Sequence, residues 1–403
     1  RMSERYGEYE LLAQFAKGGM AEVFLGRRIG VEGFAREVVV KRMLPKLAVD
    51  EACVRMFLDE ARLTALLQHP NVAQVLDLGR MDDTYFIAME LVDGPDLKSL
   101  FKHSITNDIP LPAELCAYIV ARVADGLAYA HSKTDPATDE PLRIVHRDVN
   151  HANILVSRHG GVKIVDFGVA HAENRSVVTD VGGLKGKMGY IAPEQCLGAP
   201  FDHRADIFAL GVVLHELLVR TALFYRKSDL QTLENIVYSP ADPPSKRVAG
   251  LDDEIDAIVL GALQKSPDDR PETAGDLARQ LDQWLRARVN TNLSADLAQW
   301  VVTNARTLCP TDKIPRSTRT SNSSIKRFTT GDYRELGMDA FTSGTSTRRR
   351  RQDAVGPITS RRNPQLKKGV GGAKRSNLPA ARGTFVGHAN DLEEAAGTLG
   401  DNW

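Results

Sequence analysis

The first ninety residues are rich in short apolar runs of β type. YELLAQFA, AEVFLG and EVVVKRML read as successive strands separated by Gly and polar residues. The period then changes. In VRMFLDEARLTALLQ (54–68), Val54, Phe57, Leu58, Ala61 and Ala65 recur at helical spacing, so one amphipathic helix interrupts the sheet. VAQVLDLG and YFIAMELV return to strand character. Beyond Asp93 the pattern is mostly helical. Cys116, Ile119, Val120, Val123, Leu127 and Ala130 mark one long apolar face, and further helices are expected at 205–219, 251–264 and 274–288. A small β-rich part followed by a larger helical part predicts an α+β domain of two lobes.

Near residue 310 the pattern stops. TRTSNSSIKRFTT and TSGTSTRRRRQ are polar, basic and rich in Ser and Thr, and they hold too little apolar surface to offset chain entropy. Residues 313–403 are therefore expected to be largely disordered, after a short helical extension at 288–312. The formal net charge of zero hides an asymmetry: residues 313–382 carry 17 Lys/Arg against 4 Asp/Glu, so an acidic body is joined to a basic tail. Aromatic residues are not interleaved with these charges, which argues against stacking on nucleic-acid bases. The tail's Ser/Thr cluster reads as an autophosphorylated docking tail, a solvated linker, or a contact with nucleic acid through counterion release.

The four cysteines are widely spaced with no C-x-x-C pair, which predicts free thiols in a reducing compartment and no zinc site. The first residues, RMSERYGEYELL, lack an apolar signal core. No run approaches the roughly 18 apolar residues of a membrane helix. A cytoplasmic location is the expectation.

The chemistry-bearing residues come in a fixed order. KGGMAEVF (17–24) is a Gly-rich turn between strands, where backbone N–H groups can approach phosphate oxygens; a plain tight hairpin reads equally well. VVVK ends a β-branched run with Lys41, unusual unless paired, and Glu60 on the amphipathic helix is the candidate partner. A surface salt bridge is the alternative, contributing about 0–1 kcal/mol. IVHRDVNHAN carries Asp148, suited to orient or accept the proton of an attacking hydroxyl, and Asn153, a metal-ligand candidate. KIVDFG supplies Asp166 as a hard oxygen ligand for Mg²⁺, with Gly168 giving the chain freedom to turn. YIAPEQ offers Glu194 as a partner for Arg270. DIFALG starts an apolar helix with Asp206, placed to brace the loop around Asp148.

Strand Lys, helix Glu, HRD…N, DFG, APE and Asp-x-Phe-x-x-Gly together form the protein-kinase signature. Over residues 9–287 the chain resembles the bacterial protein kinases of eukaryotic serine/threonine type, as GGMAEVFLG, FLDEARLTALLQHPNV, MELVDGPDL and APEQ show. The resemblance implies a small lobe at about 9–92 and a large one at about 93–287. It implies ATP bound between them, with Mg²⁺ or Mn²⁺, and transfer of the γ-phosphoryl group to protein Ser or Thr. The phosphate-loop positions of that family align with Ala16, Gly18, Ala21 and Val23, beside Gly19, so only the central glycine matches. Met89 takes the gatekeeper position and Glu90–Val92 the adenine-contacting hinge.

Two departures stand out. Where the family has a Lys after the catalytic Asp, this chain has Asn150, followed by His151 in place of Pro. Lys187 stands where these kinases have a Thr facing that Asp. Either Lys187 restores the cation missing at 150, or it points to solvent and docks acidic substrates. Arg147 often pairs with a phosphorylated activation-segment residue in this family; Ser176 and Thr179 are the candidates here. A nucleotide-binding pseudokinase acting as scaffold or switch is the alternative to an active enzyme.

Overall fold

The computed structural model describes residues 4–30, 34–168 and 188–313. The strands β1 (Glu4–Tyr6), β2 (Tyr9–Lys17), β3 (Ala21–Ile29), β4 (Ala35–Met43), β5 (Val75–Met81) and β6 (Thr84–Glu90) form one antiparallel sheet in the order β1-β2-β3-β4-β6-β5. The sheet thus begins before residue 9. Its faces divide as period-two patterning requires. Tyr6, Tyr9, Phe24, Val38, Val40, Phe86 and Ala88 pack on one side. Ala21, Met43, Ile87 and Met89 pack on the other, against Phe57 and Ala61 of the helix α1 (Glu51–Ala65).

The sequence pattern predicts that helix at 54–68, three residues later than observed. It starts early because the Asp50 carboxylate accepts from Ala52 N and Cys53 N, capping the first turn. It stops early because Leu66 N and Leu67 N turn back to Leu63 O and Thr64 O just ahead of Pro70, which disfavours a helical residue before it.

The second lobe is built on α3 (Ala113–His131) and α5 (Arg204–Val219). All but two residues of α5 are buried, so it is an interior helix with no polar face, and α7 (Asp253–Ala262) and α8 (Ala274–Arg286) pack around it. Around these lie α2 (Leu97–Thr106), the single-turn α4 (Pro193–Cys196), α6 (Asp229–Tyr238) and α9 (Leu293–Asn304); the short strands β7 (Ile154–Val156) and β8 (Val162–Ile164) form a hairpin at the junction of the lobes. The expected extension is not an appendage: Leu297 and Val301 of α9, and Cys309 beyond it, are wholly buried in the same core as α3 and α5. All described residues belong to one compact unit. Among them no helix is long and apolar enough to cross a membrane, and Cys116, Cys196 and Cys309 are free thiols. Of the basic tail expected at 313–403, only Lys313 falls within the described residues.

Candidate active site

Lys41 lies on β4 between Val23 of β3 and Ile87 of β6, and its side chain is largely buried. Its Nζ donates to Glu60 Oε1 at 2.6 Å and to Asp166 Oδ1 at 2.8 Å. Burial pulls the ammonium's pKa down, but the Asp166 and Glu60 carboxylates outweigh it and raise the pKa overall. Glu60 is shifted up by the same burial, opposed by Lys41. One cation thus ties the sheet, α1 and the Asp166 segment together.

Asp166 takes a left-handed backbone (φ 57°), as does Arg147 (φ 66°) in the loop facing it. Non-glycine residues in that region each cost of order 1–3 kcal/mol and are kept where the surroundings over-determine them. Those surroundings are visible. Asp206, at the start of α5, accepts from His146 N at 2.8 Å and Arg147 N at 2.9 Å, and His131 Nε2 sits 2.9 Å from it. His146 is fully buried against Phe167, with ring centroids 4.6 Å apart, and burial lowers its pKa, so its Nε2–H donates to Val165 O while Nδ1 accepts from Asp148 N. Gly168 differs from its sequence reading. Its backbone has no positive φ; a Cβ there would lie 2.8 Å from His146 O, so glycine is needed for room.

Asp148 is held by two amides. Asn153 Nδ2 donates to Asp148 O at 2.8 Å and Oδ2 at 2.9 Å, while Asn150 Nδ2 donates to Asp148 O and Oδ1, both at 2.9 Å. Asn150 also caps the turn His151–Asn153 by accepting from Ala152 N. Asn150 therefore brings orientation rather than charge. Asn153 uses its nitrogen on Asp148, which leaves Oδ1 as the atom it can offer a metal. Val165 N donates to Asn153 O, setting Asn153 beside the Asp166 segment. A carboxylate and an amide oxygen are hard donors of the kind Mg²⁺ or Mn²⁺ takes, so this pair fits such an ion.

Ala16, Gly18 and Gly19 are exposed at the β2–β3 hairpin, where Gly18 N donates to Ala21 O; a Cβ on Gly19 would meet nothing within 4 Å. Ala21 is buried against Met43 and Phe57, so only its backbone can face a ligand. Val23 is half-buried opposite both Ala16 and Lys41. Met89 packs against the cluster of Ala21, Met43, Phe57, Ala61 and Ile87, and Val92 is buried. The Glu90 carboxylate turns toward the larger lobe, 2.7 Å from Lys163 Nζ and 2.8 Å from Gln74 N, which leaves its backbone for a ligand. Glu194 and Arg270 form the expected pair, with both bonds at 2.7 Å. The Arg147 guanidinium lies over the Phe201 ring at 5.4 Å. Lys187, Ser176 and Thr179 lie outside the described residues.

Sequence reasoning missed His151. Its Nδ1 is 2.8 Å from the Tyr190 hydroxyl, which itself donates to Glu216 Oε2 at 2.9 Å, so a neutral His151 carries its proton on Nδ1. His151 stacks on Phe101 and is buried, which holds its pKa down at about 4, while burial pushes Glu216 up to about 7. The two act oppositely on stability. Glu216, raised from 4.5, binds more protons folded than unfolded, so its contribution is present below pH 4.5 and lost as pH rises toward 7. His151, lowered from 6.5, binds fewer, so its contribution grows from about pH 4 to 6.5. Glu216→Gln removes the first effect and keeps the second. Its stability relative to wild type is expected to climb between pH 4.5 and 7, by a total of order 3 kcal/mol. Urea denaturation at stepped pH measures it, and a pH-independent difference contradicts this titration.

The sequence pattern of the protein kinase domain matches residues 9–282. This chain belongs to the protein kinase family. The kinase domain is 43% identical over 282 residues to Tyrosine-protein kinase MasK of Myxococcus xanthus, covering 70% of this chain and 43% of that protein. It is 34% identical over 278 residues to Serine/threonine-protein kinase PknB of Mycobacterium leprae, covering 68% of this chain and 42% of that one. Serine/threonine-protein kinase PrkC of Bacillus subtilis is 34% identical over 273 residues, with 67% and 39% covered. The chain therefore matches less than half the length of these bacterial relatives. Among solved structures, the PknI kinase domain of Mycobacterium tuberculosis superposes with a TM-score of 0.52 at 26% identity, over 70% of this kinase and 98% of that domain. Family membership brings ATP and a divalent metal as the general requirement of the fold.

Proposed function

We propose that this chain transfers the γ-phosphoryl group of ATP, with Mg²⁺, to serine or threonine hydroxyls of proteins, its own Ser176, Thr179 and tail residues included. The single observation that carries this reading is Lys41 bridging Glu60 and Asp166 at 2.6 and 2.8 Å. That bridge sets an ammonium where ATP phosphates would lie and fixes the carboxylate that would hold metal. A bound divalent metal would neutralise charge on the phosphates. Asp148, oriented by Asn150 and Asn153, would receive or aim the acceptor proton. Gly18 and Gly19, which the fold itself does not require to be glycine, leave the hairpin open to phosphate oxygens. Met89 and the backbone of Glu90–Val92 would line the adenine site. Lys187 is the residue we assign to restore the cation absent at Asn150. Free thiols at Cys116, Cys196 and Cys309 suit a reducing, cytoplasmic setting.

Tyrosine as acceptor is the second reading, favoured by the name of the Myxococcus relative. The loop HRDVNHAN lacks the tyrosine-kinase form, which supports Ser/Thr. Phosphoamino-acid analysis of the autophosphorylated chain separates them. Phosphoserine and phosphothreonine are the expected products, and predominant phosphotyrosine refutes the assignment.

A further inference from the structure

The family pattern ends at residue 282, yet the chain beyond α9 runs back to the hinge between the lobes. Asp93 directly follows the hinge residues Glu90–Val92. The Thr311 hydroxyl donates to Asp93 Oδ1 and Oδ2, both at 2.7 Å, and Thr311 N donates to Oδ1 at 3.3 Å. Arg158, in the β7–β8 turn, completes the cluster. Its Nε is 2.8 Å from Asp93 Oδ2, and its Nη2 donates to Thr311 Oγ1 at 3.0 Å and lies 3.3 Å from Asp312 Oδ2. Thr311 is 2% exposed, and Asp93 is largely covered. A carboxylate in that setting is stable only with its partners in place.

The hinge exit has no slack of its own. A Cβ on Gly94 would lie 1.9 Å from Val156 O, and Asp93 O and Pro95 O accept from Arg158 N and Val156 N, both at 2.9 Å. At the far end of the segment, a Cβ on Gly160 would lie 1.8 Å from Ser294 O, so α9 presses on the same turn that carries Arg158. Movement of Thr311 therefore reaches Asp93 directly and the Arg158 turn from two sides.

We propose that Thr311 is a positioning residue for nucleotide binding. From the C-terminal side it holds Asp93, and through Asp93 it fixes the hinge backbone against which adenine would lie. This inference rests on the kinase reading above. The segment is thereby a part of the nucleotide site that the family pattern does not contain.

The test uses the full chain with Thr311→Val, which keeps the shape and loses the hydroxyl, and Thr311→Ser, which keeps the hydroxyl. Titration with a fluorescent ATP analogue and Mg²⁺ should give a Kd about five-fold higher for Thr311→Val, the low end of coupling between linked sites. KM for ATP should rise with it, more than kcat changes. Amide exchange at Gly94 and Arg158 should quicken while that of α8 stays put, and Thr311→Ser should restore both readouts. A Kd equal to wild type, with faster exchange at Gly94, overturns the proposal and leaves the cluster purely structural. If Thr311→Val does not fold, Arg158→Lys serves, since it keeps the charge and loses the fork that spans Thr311 and Asp312; an unchanged Kd there also overturns it. A wild type that binds no nucleotide overturns the kinase reading itself. The two failures are distinguishable because exchange at Gly94 is read without nucleotide.

Discussion

Asp166→Asn is expected to lower turnover by about 10³-fold or more, with the fold intact. Phosphoryl transfer asks the protein for positioning and for charge aimed at the phosphates, and losing one well-placed group of that kind costs ~10²–10³ in rate. Asp166 does two such jobs. It is the strongest metal-ligand candidate, and it holds Lys41 Nζ at 2.8 Å. An amide at 166 keeps the shape but gives up the charge on which both interactions depend. Lys41→Met removes the bridge from the other side and should fall in the same range, leaving Glu60 half-buried without its cation. Steady-state turnover at saturating acceptor, with circular dichroism as the fold control, measures both. A loss below ten-fold in either variant would show that the bridge is structural only.

The largest effect on stability is expected at Arg270. Its guanidinium is fully buried, pairs with Glu194 through two 2.7 Å bonds, and donates to Gln264 O, Arg204 O and Lys265 O. It also lies over the Phe208 ring at 5.0 Å. Arg270→Met leaves a buried carboxylate and three carbonyls without this donor, and breaking a buried pair from one side costs about 3–5 kcal/mol. Typical domains have only ~5–15 kcal/mol in total, so much of the protein should be unfolded near its growth temperature. Glu194→Gln keeps one acceptor for the guanidinium and should cost less. Denaturant midpoints of the two variants give the order, and finding Glu194→Gln less stable than Arg270→Met contradicts this ranking.

Much of this was legible in the sequence because it is written in periods and in short motifs. Helical spacing located α1, α5, α7 and α8 to within a few residues, and the errors trace to caps such as Asp50 rather than to the pattern. Lys41 is joined to Glu60 and Asp166, Asn153 is bonded to Asp148, and Asp206 braces the loop as its place at a helix start suggests. Other features have no sequence signal. Ala21 aligns with a phosphate-loop glycine, yet its Cβ faces the core, because only the strand register decides which side it takes. Glu90 aligns with the family's hinge, but its carboxylate pairs with Lys163. Thr311 and Asp93 are 218 residues apart, and His151 meets Tyr190 across 39. Such contacts are set by tertiary packing, which neither periodicity nor motif spacing records.

Activity of this chain depends on Asp148, held by Asn150 and Asn153, serving phosphoryl transfer although the family's lysine is missing at 150. Incubation with radiolabelled ATP, with and without Mg²⁺, tests it on wild type and Asp148→Asn, with nucleotide binding measured on both. Mg²⁺-dependent label is expected on wild type, and on Asp148→Asn unchanged nucleotide binding with label reduced to background. A wild type that binds ATP yet labels neither itself nor a generic protein acceptor would contradict this role for Asp148, and would make the chain a nucleotide-binding scaffold.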